Sequence, residues 1–197
     1  MSAPTLRDAA ATLAAAFHDG ALFPYVEPDA TRRAQCLPWL FEGTLLHCRR
    51  HGGVEVAADA AGVAGWVPGP KLALTPADLV HTGLIATPAR LGPTPTLRLE
   101  RHGRPTEPRL LERATATTAY LWVLGARPDR QGEGLGRAAL VAALASMSAA
   151  GFERCVLRTD DEPNIAFYGH LGFEVEKELT DLPSGLPSWI LSRRTRP

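Results

Sequence analysis

The residues of this chain whose types and spacing could do chemistry fall in two short stretches, Gln131–Gly136 and Asn164–Tyr168. The first reads Gln131-Gly132-Glu133-Gly134-Leu135-Gly136 and sits between an apolar run, AYLWVLGA at 119–126, and LGRAALVAALASMSAA at 135–150. That order predicts a strand, a glycine-rich turn and a helix. Glycines at 132, 134 and 136 keep side chains away, so backbone N–H groups at the helix start can wrap an anion. In the second stretch Asn164 and Tyr168 are four residues apart and share a face of a predicted helix over Pro163–Leu171. A positioned phenol can protonate a departing thiolate when an amine attacks a thioester. With ordinary pKa values of about 10 for the phenol and about 8.5 for a thiol, that transfer is feasible but weakly driven.

Two rival phosphate motifs fail on named positions. A GxGxxG dinucleotide fingerprint beginning at Gly132 and Gly134 would need a third glycine where Arg137 stands. A P-loop needs a GK[ST] tripeptide, which the chain lacks. What remains is Q-x-x-G-x-G, a pattern that an ordinary helix start also produces. Gly125 is a second clue, because an isolated glycine inside a strand marks a bulge or a close approach by another backbone or ligand. A bulge there would free the backbone of Leu124–Ala126. A ligand arm carrying its own amides, as pantetheine does, could then pair with it like an added strand.

The elements that must hold these stretches are readable on both sides of them. Strands are predicted at Ala119–Ala126, Arg154–Arg158, Phe173–Leu179 and Pro187–Ser192, with helices at Gly134–Ala150 and Pro163–Leu171. A strand–helix–strand unit implies parallel pairing of 119–126 with 154–158. Upstream, Thr5 and Asp8 form a capping-box pattern ahead of a helix over Leu6–Phe17. A second helix starts near Asp29, carries Pro38, and ends at Gly52-Gly53. Val54–Ala58 and Val63–Val67 flank Asp59–Gly62 as a hairpin. Residues 71–115 are the least legible, with short helices expected near Pro76–Gly83, Pro88–Leu91 and Pro108–Ala114. Leu97–His102 reads equally as helix or extended chain.

These residues resemble the GNAT superfamily of acyl-CoA-dependent N-acyltransferases over Tyr120 to about Leu179. The likeness rests on the Q-x-x-G-x-G turn and on Asn164-Ile-Ala-Phe167-Tyr168-Gly-His-Leu-Gly-Phe173 at the matching spacing. ATLAAAF at 11–17 and VEPDATRR at 26–33 also look like puromycin N-acetyltransferase and its relatives. The resemblance implies an α/β chain with a mixed sheet whose two central parallel strands splay around the cofactor, flanked by helices, in a single domain over residues 1–197. Residues 119–179 would bind acyl-CoA and residues 1–118 would supply the acceptor side. It implies acetyl-CoA as acyl donor, with amides of Gln131, Gly132, Glu133, Gly134, Leu135, Gly136 and Arg137 on the pyrophosphate. Arg127, Arg130 and Arg137 are candidates for the phosphates. Leu124, Gly125 and Ala126 would line the pantetheine, Asn164 and Phe167 would help place the cofactor, and Tyr168 would be the general acid.

Three departures from the family pattern stand out. Only Met1–Pro4 precede the first helix where the family has a strand, which leaves the edge at Val54–Ala58 open unless a partner covers it. Gly169 follows the tyrosine at a helical position, where glycine costs roughly 1 kcal/mol. Tyr120 occupies the place of a basic carboxylate, so a direct base is not evident, and Glu100, His81 and His102 are weak candidates acting through water.

The acceptor expected is a small-molecule primary amine. Period two puts Tyr120, Trp122 and Leu124 on one face, and Trp66 joins Tyr120 and Trp122 in an aromatic acceptor wall. Acetylation of a peptide amine, or a non-catalytic acyl-CoA sensor, are the alternatives. The chain has 21 basic and 21 acidic residues, a balance that argues against binding nucleic acid or anionic membrane. Three dispersed cysteines, Cys36, Cys48 and Cys155, read as reduced thiols, and Cys155 inside an apolar strand reads as core. His47 and His51 read as too isolated to suggest a metal. With no leader pattern and no apolar run of spanning length, the expectation is a cytoplasmic protein, with a homodimer suggested by the bare edge.

Overall fold

The computed structural model describes residues 4–102, 110, 112–180 and 184–196. Its centre is a six-stranded sheet ordered β1-β2-β3-β4-β6-β5. The strands are β1 (Gly53–Ala57), β2 (Gly62–Pro68), β3 (Thr118–Ala126), β4 (Arg154–Thr159), β5 (Glu174–Thr180) and β6 (Pro187–Arg194). Among the described residues only β3 and β4 pair in parallel, and the four other pairings are antiparallel. The result is a mixed sheet flanked by helices, as the resemblance implied. Among the described residues β1 has no strand on its outer side.

Helices cover both faces. On one lie α1 (Leu6–Phe17), α2 (Leu22–Val26) and α3 (Ala30–His51). Thr5 and Asp8 close the capping box on α1, with Asp8 N–H donating to Thr5 Oγ1 at 3.2 Å and Thr5 N–H to Asp8 Oδ2 at 2.7 Å. Asp29 caps α3 by accepting from Arg32 N–H at 2.9 Å, and Pro38 lies within that helix without ending it. Leu13, Leu37, Phe41 and Leu45 pack there against Val63 and Val123. On the other face, α7 (Leu135–Ala149) buries Leu140, Ala143 and Met147 against Trp66, Leu121, Leu157 and Leu191. Burial of such large aliphatic side chains contributes roughly 1.5–3 kcal/mol each.

The segment 71–115 resolves into α4 (Pro76–Thr82), α5 (Thr87–Leu91) and α6 (Pro93–Arg101). Residues 97–101 are therefore helical. The helix expected at Pro108–Ala114 begins outside the described residues. Helix α8 (Pro163–Gly169) is shorter than the Pro163–Leu171 expected, and Leu171, Gly172 and Phe173 close it in tight turns. No helix among the described residues is long and apolar enough to cross a membrane.

The sheet has one opening. Strands β3 and β4 are partners only from Thr118↔Arg154 to Leu121↔Leu157. Beyond that point β3 runs on to Ala126 against β2 alone, while β4 runs on against β6. The β4-facing edge of β3 is thus bare from Trp122 to Ala126. The irregularity that accompanies this split is at Trp122, which has no partner on β2 because Trp66 faces Leu121 and Gly65 faces Val123.

Candidate active site

The bulge corrects the expectation at Gly125, which pairs in register with Val63. Gly125 answers to a different close approach: a Cβ there would stand 3.0 Å from Ala16 Cβ and 3.0 Å from Leu13 Cδ2. It is helix α1, packed on the strand, that excludes a side chain. The exposed backbone edge at Leu124 and Ala126 comes instead from the divergence of β4.

The extra residue at Trp122 also corrects the assignment of faces. A bulge shifts every later side chain by one position. Tyr120, Trp122 and Val123 therefore pack toward α1 and α3, while Leu121 and Leu124 pack toward α7. Tyr120 and Trp122 meet edge-to-face with ring centroids 6.1 Å apart. Trp66 lies on the opposite face, buried among α7 residues with its ring 5.7 Å from Phe152. The three-ring wall expected from sequence is not formed. Phe17, Phe23 and Phe41, which the sequence did not single out, make one instead, with centroids 5.1–6.2 Å apart.

These rings belong to a cavity of about 590 Å³ that reaches the split between β3 and β4. Asn164, Tyr168 and Leu124 line it at the split, and Tyr120 and Trp122 line it further in. Apolar residues of α2, α3 and α4, among them Phe23, Phe41 and Leu79, close the other end. Most of its wall is hydrocarbon, and its charged and imidazole groups are Glu100, His102, Arg158, Asp160 and Asp161.

Tyr168 is buried, and burial, assisted by nearby Cys155, Tyr120 and Asp161, pushes its phenol well above the usual tyrosine range. It therefore stays protonated across neutral pH, the state a proton donor must hold. Asn164 Nδ2 donates to Thr159 Oγ1 at 3.1 Å, which fixes the amide at the end of β4. Phe167 does not line the cavity. Its ring packs on the core, 5.2 Å from Tyr168 and edge-to-face with it.

His102 is the least expected member. It follows α6, is buried at 7% exposure, and its Nε2 lies 2.9 Å from Asp160 Oδ2. Burial pushes the Asp160 carboxyl up, but the His102 hydrogen bond and the Arg158 charge outweigh it, leaving the group below its ordinary value. Asp160 is therefore a carboxylate that holds the imidazole in one orientation. Glu100 also lines the cavity, whereas His81 is exposed on α4 and does not. The Cys155 thiol is fully buried in β4 and pushed up to about 12 by desolvation, which removes it as a nucleophile.

At the far end of β3 the glycine turn opens α7. Gly132 and Gly134 have φ of 89° and 74°, values glycine adopts without strain. No side chain caps the helix at Gly134. The first amides of α7 therefore have no side-chain acceptor at the cap position, and an anion is the kind of group that satisfies such amides. Arg127 Nε donates to Asp129 at 3.0 Å and Arg130 Nε to Glu133 at 3.1 Å, so two of the expected phosphate arginines already face carboxylates. Arg137 is exposed on the first turn of α7 and is in no ion pair among the described residues.

Residues 96–173 match the family model described as the acetyltransferase (GNAT) family. Among solved structures, the chain is similar to a Desulfovibrio desulfuricans protein described as an acetyltransferase of that family, at 20% identity over 88% of this chain and 90% of that one, with a TM-score of 0.49. It is similar to the ribosomal-protein-S18-alanine N-acetyltransferase of Escherichia coli at 24% identity over 42% and 57% of the two chains, TM-score 0.36. A nourseothricin acetyltransferase aligns at 21% identity over 40% and 51%, TM-score 0.38.

Proposed function

We propose, from the match of residues 96–173 to the acetyltransferase (GNAT) family model, that this chain moves an acetyl group from acetyl-CoA to a primary amine on a small molecule with an apolar body. The transfer is direct, within a ternary complex. The observation that carries this reading is the single cavity that joins Tyr168 and Asn164, at the split between β3 and β4, to an apolar bowl.

Each part of the donor side has a physical task. The amides from Gly132 to Arg137 hold the pyrophosphate, Gln131 N–H being turned back onto the Pro128 carbonyl at 3.4 Å, and Arg137 adds charge. The bare edge of β3 around Leu124, Gly125 and Ala126 pairs with the amides of the pantetheine arm. Asn164 positions the cofactor, and Phe167 supports Tyr168 from behind. A backbone N–H of β3 near Leu124 polarises the thioester oxygen. Tyr168 then gives its proton to the departing thiolate.

On the acceptor side, Phe17, Phe23, Phe41 and Trp122 receive the apolar body of the amine. Asp160 and Asp161 draw the ammonium toward the split by charge. His102, oriented by Asp160, accepts its proton, directly or through a water. Deprotonation must precede attack, because an ammonium has no lone pair. A bowl of this volume and composition suits a compact, partly apolar amine better than an extended polyamine, which would call for carboxylates along its length.

The test is acetyl-CoA turnover against a panel of amines, read as free thiol. Turnover with small apolar amines and none with peptides supports the reading. Turnover confined to peptide N-termini or lysines would reassign the acceptor, and tight acetyl-CoA binding without any turnover would make the chain a sensor. His102→Gln separates the base from mere packing. It should depress kcat at neutral pH and shift the loss toward recovery as pH rises, whereas a packing defect would leave the pH profile unchanged.

A further inference from the structure

His47 and His51 are four residues apart on the last two turns of α3, and the fold brings Asp78, from the first turn of α4, against both. Their ring nitrogens and carboxylate oxygens lie within 4.8 Å of one another. The His51 Nε2–Asp78 Oδ1 distance is 2.7 Å, and His47 Nδ1 lies 3.9 Å from the same oxygen. The side chains of His47, Asp78 and His51 are 0%, 6% and 14% exposed. In the sequence the two histidines stand too isolated to suggest a metal; the third donor comes from 27 residues away.

The hydrogen bonding around His47 is what points to a ligand. Its Nε2 lies 3.0 Å from the carbonyl oxygen of Lys71, which can only accept. Nε2 therefore carries the proton in the neutral ring, and Nδ1 presents a bare lone pair. That nitrogen is fully buried and has no hydrogen-bond partner. The atom it faces, Asp78 Oδ1, is also an acceptor. That oxygen, 3.9 Å away, already has His51 Nε2 at 2.7 Å, so His47 Nδ1 is left as a buried acceptor without a donor, a costly arrangement. Something positive between them removes the conflict.

We propose that His47 Nδ1, His51 Nε2 and Asp78 Oδ1 form a binding site for a divalent cation of the Zn²⁺ type, with water in a fourth position. Two imidazoles and one carboxylate are the donors such borderline ions take, whereas Ca²⁺ and Mg²⁺ call for oxygen throughout. Bonds of about 2.0–2.1 Å in a tetrahedron put donors about 3.4 Å apart, between the 2.7 and 3.9 Å seen here. The Lys71 carbonyl on His47 Nε2–H is the outer hydrogen bond that a metal-bound imidazole ordinarily makes. Thr75 Oγ1 and N–H, which donate to Asp78 Oδ2 at 2.6 and 3.1 Å, hold the carboxylate the same way. His51 takes its proton on Nδ1 when Nε2 binds the ion. Proton uptake by His47 is the competing solution, and burial opposes it by holding that imidazole below its ordinary pKa.

The ion would tie the end of α3 to α4. The site lies against the acceptor cavity, because the His47 ring stands 5.1 Å from Trp122 and Leu79 of α4 lines the same space. A metal here therefore acts as a clip behind the acceptor wall, remote from the turn at Gly132–Gly136.

The experiment uses the tag-free full chain, stripped with chelator and titrated with Co²⁺ in the visible range and with Zn²⁺ by calorimetry. One equivalent should bind, Co²⁺ should give the intense bands of a four-coordinate site, and Zn²⁺ should raise the unfolding midpoint. His51→Ala, at the rim of the site and so the safer variant to fold, should weaken Zn²⁺ at least about tenfold and abolish the midpoint shift. His81→Ala, on the exposed side of α4, should bind as the parent does. The proposal fails if the stripped chain binds no stoichiometric ion, or if His51→Ala binds as tightly as the parent.

Discussion

Gly136 is where the fold and the proposed cofactor site make opposite demands. It occupies the second helical position of α7, and its φ lies outside the left-handed region. A Cβ built there would meet only Ala126 Cβ, at 4.0 Å, an ordinary contact. Nothing in the fold requires glycine at this position. Alanine in place of glycine inside a helix stabilises by roughly 0.5–1 kcal/mol, because the unfolded chain loses freedom it no longer has to give up. For a chain of this length that is about 2–4 °C in the unfolding midpoint for each kcal/mol. Gly136→Ala is therefore expected to raise the midpoint slightly.

If the amides of α7 hold the pyrophosphate, the same methyl group stands where phosphate oxygens must come close. Displacing one charge-assisted hydrogen bond costs roughly 1.5–3 kcal/mol, which is about 10- to 150-fold in affinity. The expected pair of results is a midpoint higher by about 1–4 °C on the scale just given, with acetyl-CoA affinity at least tenfold weaker by calorimetry. Gly134→Ala is the useful contrast. Its φ of 74° makes alanine strained, so it should lose about 1–2 kcal/mol of stability as well as affinity. A stabilised Gly136→Ala that binds acetyl-CoA as the parent does would refute the assignment of this turn.

Other outcomes can be stated briefly. Tyr168→Phe should lower kcat by about 10²-fold or more while leaving acetyl-CoA binding and the unfolding midpoint close to the parent, and retention of full activity would remove the general acid. Gly125→Ala should destabilise by about 1–3 kcal/mol in chemical denaturation, since its Cβ would press on Leu13 and Ala16. Leu13→Ala, at 0% exposure beneath the same strand, should cost about 2–5 kcal/mol. Because the Asp160 carboxyl sits below its ordinary value of 3.8 in the folded chain, its contribution is present above that value and lost as pH falls below it. Acid unfolding of Asp160→Asn should therefore depend less on pH than that of the parent below about pH 4.

Much of this architecture is legible because its signals are local. The Thr5/Asp8 box, the Asp29 cap and the long apolar periodicity of 135–149 each settle within a few residues where a helix begins. The strand at 118–126 and the turn after it are equally local. The aromatic cavity is legible in no such way. Phe17, Phe23 and Phe41 meet only through the packing of α1, α2 and α3, and His102 and Asp160 are 58 residues apart. Helix α2 has only five residues and no side-chain cap, too little for periodicity to show. The hairpin turn misleads as well, since its positive φ values fall on Ala58, Asp59 and Ala60 rather than on the glycine at its end.

Gly125 and Trp122 show why composition alone misplaces a backbone irregularity. Glycine in a strand is an ambiguous mark: it permits a bulge, and it equally permits a helix to lie close, which is what α1 does here. A bulge needs no glycine when the extra residue has a large side chain to bury. Trp122 has such a place, against His47 and Tyr120. The insertion puts Trp122 and Val123 on the same face and returns Leu124 to the other. In a regular strand Tyr120, Trp122 and Leu124 would all share one face of the sheet. With the bulge, the first two pack toward α1 and α3, and Leu124 packs toward α7 while lining the cavity at the split. One extra residue, placed where β4 departs, thus turns neighbouring side chains of a single strand to opposite faces of the sheet.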